Sequence, residues 1–299
     1  MTAPLYAALE AGGTKMNCAI GHGHERIIAR ARFATTRPDE NLAQIIGFFR
    51  DAAAAHGPLT GLGVGSFGPL DLDPASPQYG HIVNTPKPGW SDCDLLGNLA
   101  RALMVPAAMD TDVNGAALAE HRWGAGRHAD VLVYVTIGTG IGGGVLVDGK
   151  PLHGLFHPEI GHMRLPRQEG DDFAGHCPFH GDCLEGMASG PAIAARWGKP
   201  GVELEPEHPA WALQARYVAM MCLNLSMTLS PKAIILGGGV MMGQPGLIDA
   251  VRQRFDGLMA GYLPVAERAG GLEKLITTPG LGDDAGLAGA FALAENATR

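Results

Sequence analysis

The sequence contains the same strand–turn–strand pattern twice, and this repeat limits the folds open to the chain more than any other feature. In the first copy, the apolar residues 5–9 lead into Gly12-Gly13-Thr14-Lys15 and a second extended segment. In the second copy, residues 131–137 lead into a Gly-rich turn at 138–144 and a returning strand at 145–147. The two turns start about 126 residues apart, so the sequence predicts two similar α/β halves with a cleft between them.

Hydrophobic periodicity predicts the elements that surround the two turns. In the first half, the pattern predicts strands at 26–34, 61–65 and 106–110 and helices at 40–55, 92–104 and 113–123. In the second half, it predicts a strand at 232–236 and helices at 189–196, 209–229, 246–259 and 284–295. The first half ends near residue 127, so the expected lobes are residues 1–127 and 128–299.

Composition and charge exclude several classes of partner. The 299 residues carry a net charge of −8, which argues against a surface for nucleic acid or for an anionic membrane. The amino terminus lacks the basic and apolar regions of a signal peptide, and no apolar stretch fits a transmembrane helix. Five cysteines at irregular spacing do not make a disulfide framework, so we expect a cytoplasmic location.

Two Gly-x-Gly-x-x-Gly matches, at 63–68 and 138–143, are not dinucleotide-binding motifs. Such a motif needs a helix directly after the turn, whereas Gly68 is followed by Pro69 and Gly143 by a strand. The two hairpin turns can instead present backbone N–H groups and a Thr hydroxyl to phosphate oxygens, because glycine permits close approach. Ordinary tight hairpins are the alternative, and the matching positions of the turns in both halves favour phosphate binding.

Two aspartates stand between a predicted short strand and a helix, in the segment Asp110-Thr111-Asp112-Val113-Asn114. One of them can cap the helix through its first N–H groups. A carboxylate in this place can also act as a general base, which accepts the proton of a hydroxyl group while that hydroxyl attacks a phosphoryl group. The residues alone leave both roles open.

The strongest chemical cluster consists of two histidines and two cysteines, His162, Cys177, His180 and Cys183. Two thiolates neutralise Zn²⁺ and four N/S ligands complete its tetrahedron, so the cluster predicts a structural zinc site. A closed site of four protein ligands leaves no position for a catalytic water, which argues against a zinc hydrolase. A polar loop with buried thiols is the alternative, and His157 and His176 are competing ligands.

Zinc would order the His/Cys-rich loop at 153–185, here named the zinc loop, which also presents groups that can bind a polar ligand. Glu159 and Glu185 belong to this region, and both can accept hydrogen bonds from hydroxyl groups of a ligand, with a solvated charge as the alternative. Asn84 is a further candidate for a hydroxyl contact. Residues 237–241 follow a predicted strand and precede a helix, and such a turn lets a flat base or ribose lie against the backbone.

Several of these segments together carry a family resemblance. Glu10-Ala11-Gly12-Gly13-Thr14-Lys15 and the turn at 138–144 resemble the ROK family of sugar kinases and repressors, and the resemblance covers nearly the whole chain. Residues 85–90 and 177–186 are most similar to the fructokinase branch. The resemblance implies an actin-like, hexokinase-type duplicated α/β fold, with two lobes, a central cleft and a zinc-binding loop.

The resemblance also implies an activity, namely ATP-dependent phosphorylation of D-fructose to fructose 6-phosphate, with Mg²⁺ and a structural Zn²⁺. It implies that Asp112 is the general base, although Thr111 replaces the Asn that usually precedes this Asp. Glu159-Ile160-Gly161-His162 matches the family's Glu-x-Gly-His, so His162 is preferred as the first zinc ligand. Glu10 replaces the Asp of most members, as it does in the fructokinase branch, and is a candidate outer-shell contact to Mg²⁺.

The site prediction therefore has three groups of residues. The nucleotide candidates are Gly12, Gly13, Thr14, Lys15, Gly138, Thr139, Gly140, Pro191, Gly237, Gly238, Gly239, Val240 and Met241. The sugar candidates are Asn84, Thr111, Asp112, Glu159, His162 and Glu185. The zinc candidates are His162, Cys177, His180 and Cys183. Residues 1–127 would carry the first phosphate turn, the base and sugar contacts, and 128–299 the second phosphate turn, the zinc loop and the adenosine pocket.

Two alternatives remain at this stage. The substrate can be another hexose, namely glucose, mannose or N-acetylmannosamine. The chain can also be a non-catalytic sugar-sensing regulator, but such relatives carry an amino-terminal DNA-binding domain, whereas this chain reaches its first phosphate turn by residue 12. The resemblance further implies a homodimer.

Overall fold

The computed structural model describes residues 3–298, and these form two compact units. Unit 1 comprises residues 3–120, Pro151–Pro158 and 283–298. Unit 2 comprises His121–Lys150 and Glu159–Gly282. Each unit is thus built from separate stretches of the chain. The functional lobes at 1–127 and 128–299 stay a prediction.

Unit 1 contains a five-stranded mixed sheet. The strands of this sheet are β1 (Tyr6–Ala11), β2 (Lys15–Gly21), β3 (Ile27–Ala34), β4 (Gly61–Ser66) and β7 (Ala107–Thr111). Two further strands of unit 1, β5 (His81–Ile82) and β6 (Cys93–Asp94), pair with each other in a separate two-stranded sheet. Its helices are α1 (Pro38–His56), α2 (Leu95–Leu103), α3 (Asp112–Trp123, which continues into unit 2) and α11 (Ala285–Asn296). The sheet order is β3-β2-β1-β4-β7, where β2 is antiparallel to both neighbours and β1, β4 and β7 are parallel.

Helix α1 shows why the local sequence forms these elements. Pro38 stands in its first turn, where a missing N–H costs nothing, and Asp39 and Glu40 complement the helix dipole there. The residues that α1 buries recur every three or four positions and are Asn41, Ile45, Phe49 and Ala52. This spacing places them on one face, which packs into the apolar core of unit 1.

Glycines allow α11 to lie directly on its neighbours in unit 1. A Cβ added to Gly63 in β4 would lie 1.8 Å from the carbonyl oxygen of Ala290 in α11. A Cβ added to Gly289 in α11 would lie 2.2 Å from the carbonyl oxygen of Gly115 in α3. Any side chain at these positions would push the backbones apart, so glycine is required for this packing.

Unit 2 repeats the same arrangement. Its strands are β8 (Val131–Ile137), β9 (Ile141–Val147), β10 (Lys150–Pro151, which ends at the first residue of a unit 1 segment), β11 (Ala233–Gly237) and β12 (Ile276–Thr277). Its helices are α4 (Leu184–Ala188), α5 (Gly190–Trp197), α6 (Pro209–Leu229), α7 (Gly239–Met242), α8 (Leu247–Met259), α9 (Val265–Ala269) and α10 (Leu272–Leu275). The sheet order is β10-β9-β8-β11-β12, with β8 antiparallel to β9 and parallel to β11. Both sheets thus combine a hairpin with parallel strands, which confirms the predicted duplication.

The second Gly-rich turn is shorter than the sequence pattern predicts. Residues 142–144 belong to β9, which begins at Ile141, so the prediction of a turn through 144 is wrong. A Cβ on Gly143 would lie 2.5 Å from Cδ1 of Ile160. Glycine here makes room for the 3₁₀ turn Ile160–His162 to pack on the strand and does not bend the chain.

Two general properties concern the whole described chain. Among residues 3–298, no helix has the length and apolar character needed to cross a membrane.

All five cysteines are free thiols. Burial raises the pKa of Cys18 to about 12, so this thiol is protonated at neutral pH.

Candidate functional site

Three parallel strands of unit 1 end at one edge of its sheet. The register pairs Ala11 at the end of β1 with Ser66 at the end of β4, and Ser66 with Thr111 at the end of β7. The turn at 12–15 and Asp112 therefore follow strand ends that are two strands apart. Neighbouring strands lie about 4.8 Å apart, so the turn and Asp112 begin about 10 Å apart along this edge.

Asp112 is the first residue of α3, where the helix dipole stabilises a negative charge. Its Oδ1 accepts the N–H of Val113 at 2.9 Å. Thr111 supplies the typical capping bond, since its Oγ1 accepts the N–H of Asn114 at 3.1 Å. The helix is thus capped without Asp110, and Asp112 remains a half-buried candidate base.

Asp110 is a buried carboxylate that organises its surroundings. Its Oδ1 accepts the N–H of Thr111 at 2.8 Å and Nδ2 of Asn114 at 2.7 Å. Nε2 of His153 lies 3.1 Å from its Oδ2, and this hydrogen bond raises the pKa of His153. Asp110 therefore orients Asn114 and anchors the segment at 151–158.

His157 anchors the same segment at a second point. It is buried, and its Nε2 accepts the N–H of Leu70 at 3.0 Å. A nitrogen that accepts a hydrogen bond is unprotonated, and burial lowers the pKa of His157 accordingly. His157 is thus hydrogen-bonded within unit 1, and it is not part of the His/Cys cluster that could hold a metal.

The first Gly turn is a tight hairpin whose tip faces solvent. The N–H of Gly12 donates to the carbonyl of Lys15 at 2.9 Å, and the carbonyl of Gly12 accepts the hydroxyl of Thr35 at 2.8 Å. Thr14 and Lys15 are exposed. Asn84, the sugar candidate on a later loop, is also exposed and precedes the buried Thr85.

Glu10, near the end of β1, is held by protein groups. Its Oε2 accepts Nδ2 of Asn17 at 2.7 Å, and Oδ1 of Asn17 accepts Nε of Arg32 at 3.0 Å. A Cβ on Gly286 would lie 2.3 Å from Oε1 of Glu10, so the carboxylate packs against the first turn of α11. An outer-shell contact from Glu10 to Mg²⁺ stays a prediction.

Three segments of unit 2 meet at the second Gly turn. The carbonyl of Gly138 accepts the N–H of Gly190, at the start of α5, at 2.7 Å. A Cβ on Gly138 would lie 3.8 Å from the backbone nitrogen of Gly239. The turn, the start of α5 with Pro191, and residues 237–241 therefore come together, which gathers the nucleotide candidates of this unit.

Of the two predicted sugar-binding carboxylates of unit 2, Glu185 acts on the pKa of Glu159. Oε2 of Glu185 accepts the N–H of Ile141 at 2.9 Å, and a Cβ on Gly140 would lie 2.7 Å from the same oxygen. Glu185 is thus fixed beside the turn. Desolvation by surrounding protein atoms and the charge of Glu185 raise the pKa of Glu159 to about 7. Near neutral pH, Glu159 can therefore either donate or accept a hydrogen bond.

The four predicted zinc ligands lie together in unit 2, with their ligand atoms within 4.8 Å of one another. From Nδ1 of His162, the sulfurs of Cys177 and Cys183 lie at 3.7 and 3.6 Å. Nδ1 of His180 lies 3.3 Å from Nδ1 of His162. A tetrahedral zinc, with Zn–S of about 2.3 Å and Zn–N of about 2.0–2.1 Å, separates S from N by about 3.6 Å and N from N by about 3.4 Å. The donor set and its spacing fit Zn²⁺.

The zinc loop is also anchored away from this cluster. Asp171 accepts Nη1 of Arg196 at 2.5 Å and the hydroxyl of Tyr217 at 2.6 Å. The guanidinium of Arg196 lies 4.5 Å from the centroid of the Phe173 ring. These contacts hold residues 171–173 against α5 and α6. His176, the other competing ligand, is exposed and outside the four-residue cluster.

Comparison with known proteins decides the family. The ROK family model matches residues 6–297. The chain belongs to the ROK family. Two relatives are fructokinases: that of Zymomonas mobilis is 46% identical over 97% of this chain and 96% of its own length, and that of Pediococcus pentosaceus is 41% identical over 99% of both.

A solved structure of the ROK family supports the fold assignment. The ROK family glucokinase of Streptomyces griseus, in complex with glucose and AMPPNP, is 25% identical and has a TM-score of 0.74. The match covers 98% of this ROK chain and 99% of the glucokinase chain. The predicted hexokinase-type α/β fold is confirmed.

Three contacts of this ROK protein join residues that the sequence patterns did not connect. His153 binds Asp110, His157 binds the N–H of Leu70, and Lys87 binds the carbonyl of Gly13, over separations of 43, 87 and 74 residues. Periodicity does not report contacts at this distance along the chain. Of these three pairs, only the one with Lys87 includes a residue from a segment that the family resemblance had marked, the fructokinase-like segment at 85–90.

Proposed function

We propose that this ROK protein is a fructokinase, which transfers the terminal phosphoryl group of ATP to O6 of D-fructose. The observation that carries the proposal is the 46% identity over nearly the whole chain with a relative named fructokinase. The geometry supports it, because a carboxylate at a helix start follows one strand end and a Gly turn follows another at the same sheet edge.

Asp112 is the proposed general base. It accepts the proton of the O6 hydroxyl while O6 forms a bond to the terminal phosphorus, and the bond between that phosphorus and the bridging oxygen breaks. The products are fructose 6-phosphate and ADP, and the proton passes from Asp112 to solvent. The N–H of Val113 donates to Asp112, and the helix dipole favours a negative charge at this position.

The nucleotide is held by backbone groups in this proposal. The turn at 12–15 in unit 1 and the turn at 138–140 in unit 2 bind phosphate oxygens through N–H groups and the hydroxyls of Thr14 and Thr139. Residues 237–241 and Pro191 bind adenosine. Mg²⁺, when bound with ATP, neutralises charge on the phosphates.

The sugar is held by side chains that hydrogen-bond its hydroxyls. Asn84 and Thr111 serve this role in unit 1, and Glu159, His162 and Glu185 serve it in unit 2. Nδ1 of His162 points to the zinc cluster, so its Nε2–H is the group that can donate to a sugar hydroxyl. A zinc ion held by His162, Cys177, His180 and Cys183 would be structural and would order the loop that includes Glu159, His162 and Glu185. We further propose a cytoplasmic homodimer.

Fructose is expected to be the preferred hexose. Polar groups that are built to bond one hydroxyl pattern stay unpaired with another sugar, and this discriminates between analogues. We expect kcat/KM for fructose to exceed that for glucose at least about tenfold, or about 1.4 kcal/mol of transition-state binding. Steady-state kinetics with zinc-loaded protein and saturating Mg²⁺–ATP, on fructose, glucose, mannose and N-acetylmannosamine, measures this. A higher kcat/KM for any sugar other than fructose contradicts the fructokinase proposal and retains a hexose kinase.

A further inference from the structure

Lys87 places its ammonium group on the first Gly turn. Its Nζ donates a hydrogen bond to the carbonyl oxygen of Gly13. A Cβ on Gly13 would lie 3.0 Å from both Cε and Nζ of Lys87, so the side chain covers this glycine. The loop at 85–90 thus places a cation against the turn at 12–15, within unit 1.

The loop that carries Lys87 is fixed by its own contacts. The fully buried Trp90 donates its Nε1–H to the carbonyl of Thr36 at 2.7 Å. The hydroxyl of Ser91 donates to the carbonyl of Thr85 at 3.1 Å and lies 3.2 Å from the Thr85 nitrogen, whose N–H it accepts. These bonds close the loop on both sides of Lys87. The position of the ammonium is therefore set by the fold.

The ammonium has few protein partners. Among the described residues, Lys87 makes no ion pair, and its other close contact is the ring of Phe67, with Nζ 5.5 Å from the centroid. Lys87 is half-buried, and burial lowers its pKa. A cation that is partly withdrawn from water gains stability from an anionic ligand. One of its three N–H donors is used on Gly13, which leaves two for such a ligand.

The position of Lys87 relates it to the proposed chemistry. Gly13 follows β1 and Phe67 follows β4, and Asp112 follows β7 at the same edge of the sheet. Lys87 contacts both Gly13 and Phe67. Its ammonium therefore lies on the side of the sheet where the proposed base begins α3 and where the phosphate turn is exposed.

We propose that Lys87 is a further catalytic residue, whose ammonium binds the terminal phosphate of ATP and stabilises the charge that develops as this group is transferred. The inference rests on the proposed kinase function. Lys87 neither gains nor loses a proton in this step, because the hydroxyl proton goes to Asp112 and the leaving group is ADP. A fixed donor aimed at developing charge typically contributes about 10²–10³-fold in kcat.

The test compares nucleotides with and without the terminal phosphate. Lys87→Met keeps an apolar stem on Phe67 and removes the charge. We expect its affinity for AMPPNP to fall at least about tenfold while its affinity for ADP changes less than about threefold, with titration calorimetry as the measurement. We expect kcat to fall about 10²-fold and Lys87→Arg to restore part of it, because the charge returns. The exposed Lys150→Met is the matched control and should match the wild type in every measurement.

A lysine that only supports the turn gives a different result. Lys87→Met would then weaken ADP and AMPPNP equally, or neither, and both outcomes overturn the inference. Lys87→Gln repeats the comparison if the Met variant loses its folded circular dichroism spectrum. The nucleotide comparison needs no sugar turnover. A wild-type protein that binds both nucleotides but phosphorylates no hexose would contradict the proposed function. The AMPPNP and ADP affinities of the Lys87 variants would still show whether Lys87 binds the terminal phosphate.

Discussion

Replacing Asp112 by Asn is expected to lower kcat about 10²–10⁴-fold, because an amide cannot accept the proton of the attacking hydroxyl. The fold and nucleotide binding should be unchanged. Thr111 supplies the capping bond of α3, so the helix keeps its N-terminal contact in the variant. Steady-state kinetics with fructose, together with AMPPNP titration and thermal melting, separates lost chemistry from lost structure.

A matched control addresses the charge change at a helix start. Asp39→Asn removes a carboxylate from the first turn of α1, as Asp112→Asn removes one from the first turn of α3; Asp39 is exposed and Asp112 is half-buried. This variant should keep wild-type kcat. Near-normal turnover in Asp112→Asn would remove Asp112 from the role of base, and an equal loss in Asp39→Asn would show that the effect is not specific to the site.

The predictable parts of the site are those with a local signature. The two Gly turns follow apolar strands directly, and Cys177, His180 and Cys183 fall within one short loop, so spacing alone indicates them. The duplicated sheet follows from the repeated strand–turn–strand pattern. These features depend on neighbours in sequence, and a pattern search detects them.

The parts that sequence analysis missed depend on tertiary contacts. Lys87 meets Gly13 only because β1 and β4 are parallel neighbours and a fixed loop returns to their edge. The sequence pattern assigns Gly143 to a turn, but in the structure it lies in β9 and leaves space for Ile160 to pack against that strand. The strands β5, β6, β10 and β12 have two residues each, which is too short for periodicity to detect. In each case the packing partner decides the structure.

Removal of zinc is expected to disorder one part of the loop and to weaken sugar binding. Chelation removes the bonds through which one ion would join His162 to Cys177, His180 and Cys183, so this part of the loop loses its cross-link. Residues 171–173 keep their contacts to Arg196 and Tyr217, and 151–158 stay anchored through His153 and His157. Chelation should therefore increase amide hydrogen exchange mainly at 174–187 and leave 151–158 protected.

The zinc content of the protein can be measured directly, and a control variant distinguishes the two proposed cysteine ligands from the other cysteines. We expect about one zinc per chain by elemental analysis of freshly purified, reduced protein, and loss of zinc in a Cys177→Ser/Cys183→Ser variant, because two thiolates are removed from the tetrahedron. Cys93→Ser, a half-buried thiol outside the cluster, should retain the metal. In the double variant, KM for fructose should rise more than KM for ATP, since Glu159, His162 and Glu185 lie next to or within the loop that zinc orders. Zinc retained by the double variant would show that Cys177 and Cys183 do not hold the metal. Exchange that rises equally at 151–158 would show that the effect of metal removal is not confined to residues 174–187.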